Sequence, residues 1–303
     1  MINYAAVPVL LETILLRALL LLCCLWVAVP AQSVTVLASI EPLAMVLRDV
    51  LGDEVTVETF LLPSQTPHDS SFTPGQARLV QQADVIVWLG AEAEPALAKL
   101  MARARGDQLA LLSLPGVYQR ELQDSHDHHH EHKHGSALDP HLWLSPDNMR
   151  LLAMALVDQA PQLELEPQLL MRRAQQFVAA LDEQEQQLRM RLAPLAEHRY
   201  MSHHDAWGYF AEAFGLRPVL PISASTDMTP GSRRFVALVQ RMEKEGIYCV
   251  MAEPESRRAL LERLCRGDCK LVEADPLGRG LGPVSYGRLL EDLAERFAHC
   301  LAP

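Results

Sequence analysis

Three histidines and one aspartate stand in segments whose residue types could bind a metal: Pro67-His68-Asp69, Asp139-Pro140-His141-Leu142-Trp143, His204-Asp205-Ala206-Trp207 and Asp275-Pro276-Leu277-Gly278. Imidazole nitrogen is a borderline-soft donor, and three imidazoles with one carboxylate form a tetrahedral set that suits zinc. The four residues are about 60 to 75 positions apart, so only a fold that gathers loops from several elements could join them. Spacing alone says little here, because a single histidine is more often structural than a ligand. His203, beside His204, is a one-residue alternative for the third imidazole.

A second group is local. Six of the 12 histidines, His126, His128, His129, His130, His132 and His134, fall within nine residues, with Asp124, Asp127 and Glu131 around them. The segment has no apolar period and reads as a solvated loop over 124–135, since it cannot bury enough surface to offset the entropy of ordering it. Its imidazoles could capture several zinc ions weakly, or the segment could be a tolerated insertion. His130-Glu131-His132-Lys133-His134 also fits the H-E-x-x-H pattern of zinc proteases. That chemistry needs both histidines on one face of a packed helix, and nothing apolar here would hold one.

Short apolar runs alternate with amphipathic stretches along the chain, the rhythm of strands and helices in a parallel sheet. Strands are predicted at Val34 to Leu37, Val55 to Leu62, Val85 to Leu89 and Leu109 to Leu112, with helices at Glu41 to Leu51, Thr73 to about Ala83 and Pro95 to Arg105. Thr73-Pro74 with Gln76 supplies an N-cap, a proline at the first helical position and a capping-box partner. The rhythm then repeats. Strands are predicted near Arg199 to Ser202, Pro218 to Ile222, Ile247 to Ala252 and Lys270 to Ala274. Helices are predicted at Asp205 to Phe214, from a Thr229-Pro230 cap to Glu245, at Glu255 to Cys265 and at Tyr286 to Leu301.

Between the two sets, Leu170, Ala174, Phe177, Leu181, Leu188 and Leu192 mark one helix face of about 27 residues, roughly 40 Å long. The expected fold class is therefore α/β, with two lobes, each a mostly parallel four-stranded sheet flanked by helices, joined by one long rigid helix. The expected division is a signal peptide over 1–31, an N-terminal lobe over 32–160, a linker helix over 161–194 and a C-terminal lobe over 195–303. Ligands of open α/β sheets gather beyond the carboxyl ends of strands, where His68, His141, His204 and Asp275 are all expected to lie.

The chain has 303 residues, with 27 Lys and Arg against 38 Asp and Glu for a net charge of −11, so it offers no electrostatic footprint for nucleic acid. The apolar run from Ala18 to Pro30, followed by Val29-Pro30-Ala31, reads as a secretory signal cleaved after Ala31, or else as a retained anchor. Cys23 and Cys24 would leave with it. The four remaining cysteines, Cys249, Cys265, Cys269 and Cys300, form an even set in an oxidising compartment, and arithmetic leaves three pairings open.

The four metal-suited segments, in this order and with a long mid-chain helix and an acidic His-rich insertion before Asp139, resemble the metal-binding substrate-binding proteins of bacterial ABC importers. The chain is most similar to the periplasmic high-affinity zinc-binding branch. The resemblance implies a non-enzymatic, monomeric periplasmic protein that captures one Zn²⁺ in the inter-lobe cleft and delivers it to an inner-membrane permease with its ATPase. It implies that His68, His141 and His204 are ligands, that Asp275 is the carboxylate of the C-terminal lobe, and that Cys249 and Cys300 form a disulfide. Cys265 and Cys269 have no counterpart, so a second disulfide and free thiols both stay open. Pro67 departs from the glutamate found there in some zinc-binding relatives, which leaves Asp275, water or neither as the fourth ligand.

Glu253 and Glu255 could accept from an imidazole N–H, or could serve as helix N-terminal charges. Trp143 and Trp207 could wall the cleft or simply pack. The alternative of another class is a secreted zinc-dependent hydrolase using the same three histidines with a metal-bound water. A surface-binding, adhesin-like role would require an anchor.

Overall fold

The computed structural model describes residues 33–122, 137–223 and 228–303. The expected signal segment and the His-rich stretch with its H-E-x-x-H pattern lie outside the described residues. Residues 34–303 form one compact unit.

Strands β1 (Thr35–Ala38), β2 (Thr56–Thr59), β3 (Val85–Trp88) and β4 (Asp107–Ala110) make a parallel sheet in the order β2-β1-β3-β4. Strands β5 (Met201–Ser202), β6 (Leu220–Pro221), β7 (Cys249–Ala252) and β8 (Lys270–Glu273) repeat that order as β6-β5-β7-β8, again all parallel. Around them lie helices α1 (Glu41–Leu51), α2 (Pro74–Gln82), α3 (Pro95–Met101), α4 (Pro146–Ala155), α5 (Pro167–Leu192), α6 (Gly208–Phe214), α7 (Ser232–Glu245), α8 (Arg258–Leu264) and α9 (Tyr286–Leu301).

The central strands β3 and β7 are apolar at every position because both faces are covered. Val36 and Ala38 of β1, Val85 and Val87 of β3 and Met251 of β7 point into one large core, while Leu37, Ile86 and Val250 point into smaller outer clusters. This is the alternation a pleated strand imposes. The large core is continuous across both sheets: Leu47 of α1, Leu152 of α4, Leu181 of α5, Phe210 of α6 and Phe297 of α9 all belong to it. The long helix α5 buries Leu170, Ala174, Leu181, Leu188 and Leu192 of the expected face, capped by Glu166, whose carboxylate accepts from the Leu169 N–H. It packs along α1, α4 and α9, so it serves both sheets as a shared wall.

Several expected boundaries move, each for a local reason. The fourth strand begins at Asp107, because the register against β3 pairs Val85 with Asp107, and Leu111–Ser113 turns as a 3₁₀ segment. Helix α7 starts at Ser232 without the expected Thr229 cap; Thr229 instead accepts from the Arg257 guanidinium. Helix α8 starts at Arg258, because Ser256 bonds the Glu253 N–H and carboxylate and holds 253–256 as a turn. Helix α6 starts at Gly208, since Asp205 and Trp207 are held by other partners described below. Helix α4 was not anticipated, although Ser145-Pro146 carries the same signal as Thr73-Pro74: Ser145 accepts from the Asn148 N–H and Pro146 opens the helix.

Candidate metal centre

His68 is carried by the long turn after β2. That turn is fixed by Gln65, whose side-chain oxygen accepts from Leu62 N–H and from the Gln76 amide, and whose amide donates to the Ser71 carbonyl. Gln76 is the capping-box residue of α2, and its oxygen also accepts from Thr73 N–H, so the local signal that starts the helix also anchors the turn. Asp69 closes the turn by accepting from Thr66 N–H at 2.7 Å.

His141 follows no strand directly. It sits between a bridge joining Glu121 to Leu138 and a 3₁₀ turn at Leu142–Leu144. Asn148 of α4 holds this stretch by donating to the carbonyls of Tyr118 and Leu142. His204 lies just past β5, which is flanked by β6 and β7, and so stands at the switch point of the second sheet.

The three rings converge. Ligand-capable atoms of His68, His141 and His204 all lie within 4.8 Å of one another, with His141 and His204 buried and His68 open to solvent. The Nε2 atoms of His141 and His204 are 3.3 Å apart. Two zinc–nitrogen bonds of about 2.0–2.1 Å at the tetrahedral angle need a separation of about 3.3–3.4 Å. His203 is also buried, and it stands outside the group formed among the described residues. Among the described residues it is thus His204, not His203, that lies with His68 and His141.

Behind two of the three rings are carboxylates. Asp139 lies 2.7 Å from His141 Nδ1 and accepts the His141 N–H, which leaves Nε2 facing the centre. Burial alone would raise Asp139, but His141 and Arg120 hold its carboxyl below the usual range. Glu253, at the end of β7, sits 3.6 Å from His204 Nδ1 and accepts from Trp207 Nε1 and Ser256 Oγ. At that distance it faces the imidazole as a charge without accepting a hydrogen bond from it. Burial works against a charged His204, yet Glu253 and then Glu255 raise the imidazole above its ordinary value. His68 moves the other way, to about 4: its ring loses hydration inside the cleft even though the residue keeps an open edge, and protonated His141 and His204 would repel it.

Arg120 was not singled out in the sequence, and it organises the side of the site that bears His141 and His204. It is 6% exposed and donates to Asp139 at 2.6 Å, to Asp205 at 3.3 Å and to Glu212 at 3.1 Å, and its N–H reaches the Tyr209 hydroxyl. Asp139 flanks one proposed ligand and Asp205 the next, so a single guanidinium fastens two ligand segments. Gly208 makes room for it: a Cβ there would lie 2.0 Å from the Arg120 Cζ. The cue available in the sequence was the concentration of acid around an otherwise isolated arginine, too weak to point to it alone.

Trp143 both packs and walls. It is buried, its ring lies 5.2 Å from that of His141, and its indole donates to the Pro276 carbonyl of the other half. Trp207 packs edge-on against Phe297. Asp275, expected with the three histidines, is not brought into their group. It is held by Arg279, whose Nε and Nη2 donate to its two oxygens at 3.0 and 2.9 Å. Glu255 is likewise paired to Arg279, at 2.6 Å.

The expected disulfide between Cys249 and Cys300 is present and ties β7 to the end of α9. Cys265 and Cys269 form a second disulfide, which resolves the pairing that the sequence left open.

Comparison with known proteins agrees with this architecture. The sequence profile of the family described as zinc-uptake complex component A, periplasmic (ZnuA), matches residues 36–300. The high-affinity zinc uptake system protein ZnuA of Yersinia pestis is 30% identical over 293 residues, covering 89% of this chain and 92% of that protein. Its counterpart in Paracoccus denitrificans is 30% identical over 315 residues, covering 90% and 94%. A crystal structure of ZnuA superposes with a TM-score of 0.75 at 20% identity, covering 89% of this chain and all of that one, which shows the common fold. With one profile spanning both sheets and the long helix between them, the chain belongs to the periplasmic zinc-uptake component A family, ZnuA.

Proposed function

We propose that this chain captures a Zn²⁺ ion with His68, His141 and His204 in the periplasm and delivers it to an inner-membrane ABC permease and its ATPase. The observation that carries the reading is the convergence of three imidazoles, two with Nε2 atoms at the 3.3 Å separation a tetrahedral centre needs. The zinc-uptake names of the relatives support it. Zinc is the cargo, and ligand exchange is the whole chemistry. Nothing in the comparisons supports the hydrolase alternative, and we read the chain as a monomeric binding protein. Its expected division into two lobes about α5, with a cleaved signal ahead of them, belongs to the same reading.

Each part of the site has a task. Asp139 and Glu253 orient His141 and His204 and favour their metal-facing nitrogens. Trp143 excludes water from one side. The histidines of 126–134 would supply weak extra sites and would not form the transport site.

A chelator-competed zinc titration tests the reading. His141→Ala should lose tight binding, and removal of residues 126–134 should keep one tight site. Tight binding that survives His141→Ala, or disappears with the loop, would sink the proposal. The wild-type affinity should fall as pH drops. Zinc needs neutral imidazole, and His204, with its raised pKa, takes a proton before the ordinary value of 6.5 is reached, whereas His68 stays neutral until about 4.

A further inference from the structure

The chain carries a net charge of −11, yet residues 232–268, which hold helices α7 and α8, contain eight Arg and Lys against six Asp and Glu. Two of those acids are withdrawn from the outer surface: Glu253 is buried beside His204, and Glu255 is paired with Arg279. Helices α7 and α8 cover the outer cluster of the second sheet with Leu238, Met242, Leu260 and Leu261, so their other faces point away from the large core.

On α7, Arg233, Val236, Ala237, Gln240 and Lys244 are all exposed. At about 3.6 residues per turn they form one stripe along the helix, with a cation at each end, Val236 and Ala237 between them and no acid. Glu243 stands about a quarter turn aside, and Glu245 is paired with Arg241 and Arg199. Helix α8 adds the exposed Arg263, whose Cζ sits 5.2 Å over the Phe235 ring of α7 and joins the two helices. The acid of α8, Glu262, is paired with Arg258. Just beyond α8, Arg266 stands exposed in the short ring that the Cys265–Cys269 disulfide closes. Arg233, Lys244, Arg263 and Arg266 make no ion pair among the described residues.

We infer that the α7–α8 face rests reversibly on an anionic lipid surface. Phosphate headgroups accept from guanidinium and ammonium donors, while the apolar side-chain stems and Val236 lie against the acyl boundary. With a Debye length of about 8 Å at physiological salt, the local patch and not the net charge sets the attraction. A few cations with one short apolar strip hold weakly, so the contact is transient. Its use rests on the proposed zinc delivery: a protein kept at the membrane searches for its permease in two dimensions.

The test is cosedimentation of the full mature chain with phosphatidylglycerol vesicles and, in parallel, with phosphatidylcholine vesicles. The wild type should bind the first, ignore the second and be released at about 0.5 M salt. Arg233→Glu, Lys244→Glu and Arg263→Glu together should weaken binding at least about tenfold. The same charge change elsewhere, at the exposed Arg103, Arg105 and Arg172, should weaken it less than about threefold. Equal binding to both lipids or to neither overturns the inference, as does an equal loss from the two triple variants. Release by inorganic phosphate at constant ionic strength also overturns it, because it would mean a phosphate site and no lipid surface. If the α7–α8 triple variant fails to fold, Lys244→Glu alone should weaken binding about threefold, and an unchanged affinity there is equally fatal. Zinc affinity, measured separately, should keep its wild-type value in every variant; weak zinc binding by the wild type would refute the zinc site and leave the lipid result standing.

Discussion

At the scale of single residues, Arg120 ties together the segments that carry His141 and His204. Its guanidinium neutralises Asp139 and Asp205, both buried or nearly so, and Asp139 in turn orients His141. Removing one member of a buried ion cluster costs about 3–5 kcal/mol, because the remaining charges lose their partner. Arg120→Ala should therefore lower unfolding free energy by that amount in a urea titration. It should also weaken zinc about 10- to 100-fold through the misoriented imidazole. A variant with wild-type stability and affinity would show that the cluster is incidental. The histidines could be read from the sequence because their flanking residues form motifs. Arg120 could not, because its importance lies in partners up to 92 positions away, which no local pattern encodes.

At the scale of elements, legibility followed the local signals. Helices α1 and α9 form with the predicted bounds and α2 within one residue, because Pro42 and Gly52 mark α1, the Thr73 capping box marks α2 and the Ser285 cap starts α9. Strands were found but misplaced by one to three residues, since a run such as Leu109 to Leu112 is apolar throughout and only the register with β3 sets its limits. Helix α6 was overextended because Asp205 and Trp207 obey long-range partners over helical propensity. The Cys249–Cys300 disulfide makes an element-level prediction. It joins β7 to α9 across a separation of 51 residues, worth roughly 4 kcal/mol on the chain-entropy model. Replacing both cysteines with alanine should lower the guanidinium midpoint accordingly. A change below about 1 kcal/mol would mean that packing of α9 alone holds the junction.

At the scale of the whole molecule, two sheets of identical strand order share one apolar core through α5 and α9. Two lobes hinged on an otherwise bare helix would melt separately; a shared core should melt once. Calorimetry on the metal-free protein should therefore give a single transition with calorimetric and van't Hoff enthalpies in agreement, and two resolved peaks would refute a common core.

The docking of α9 has a consequence for how the chain reaches this state. The Tyr286 N–H is received by Asp49 of α1, 237 positions earlier, and Leu289, Leu293 and Phe297 complete the core begun by Leu43, Leu47 and Val50. Contacts so distant along the chain form late, because a long loop must close before they give anything back. Until then the part of the first helix that α9 will cover stays open even where α4 and α5 have packed, and that leftover apolar strip would be the surface a holding chaperone could grip on the nascent chain.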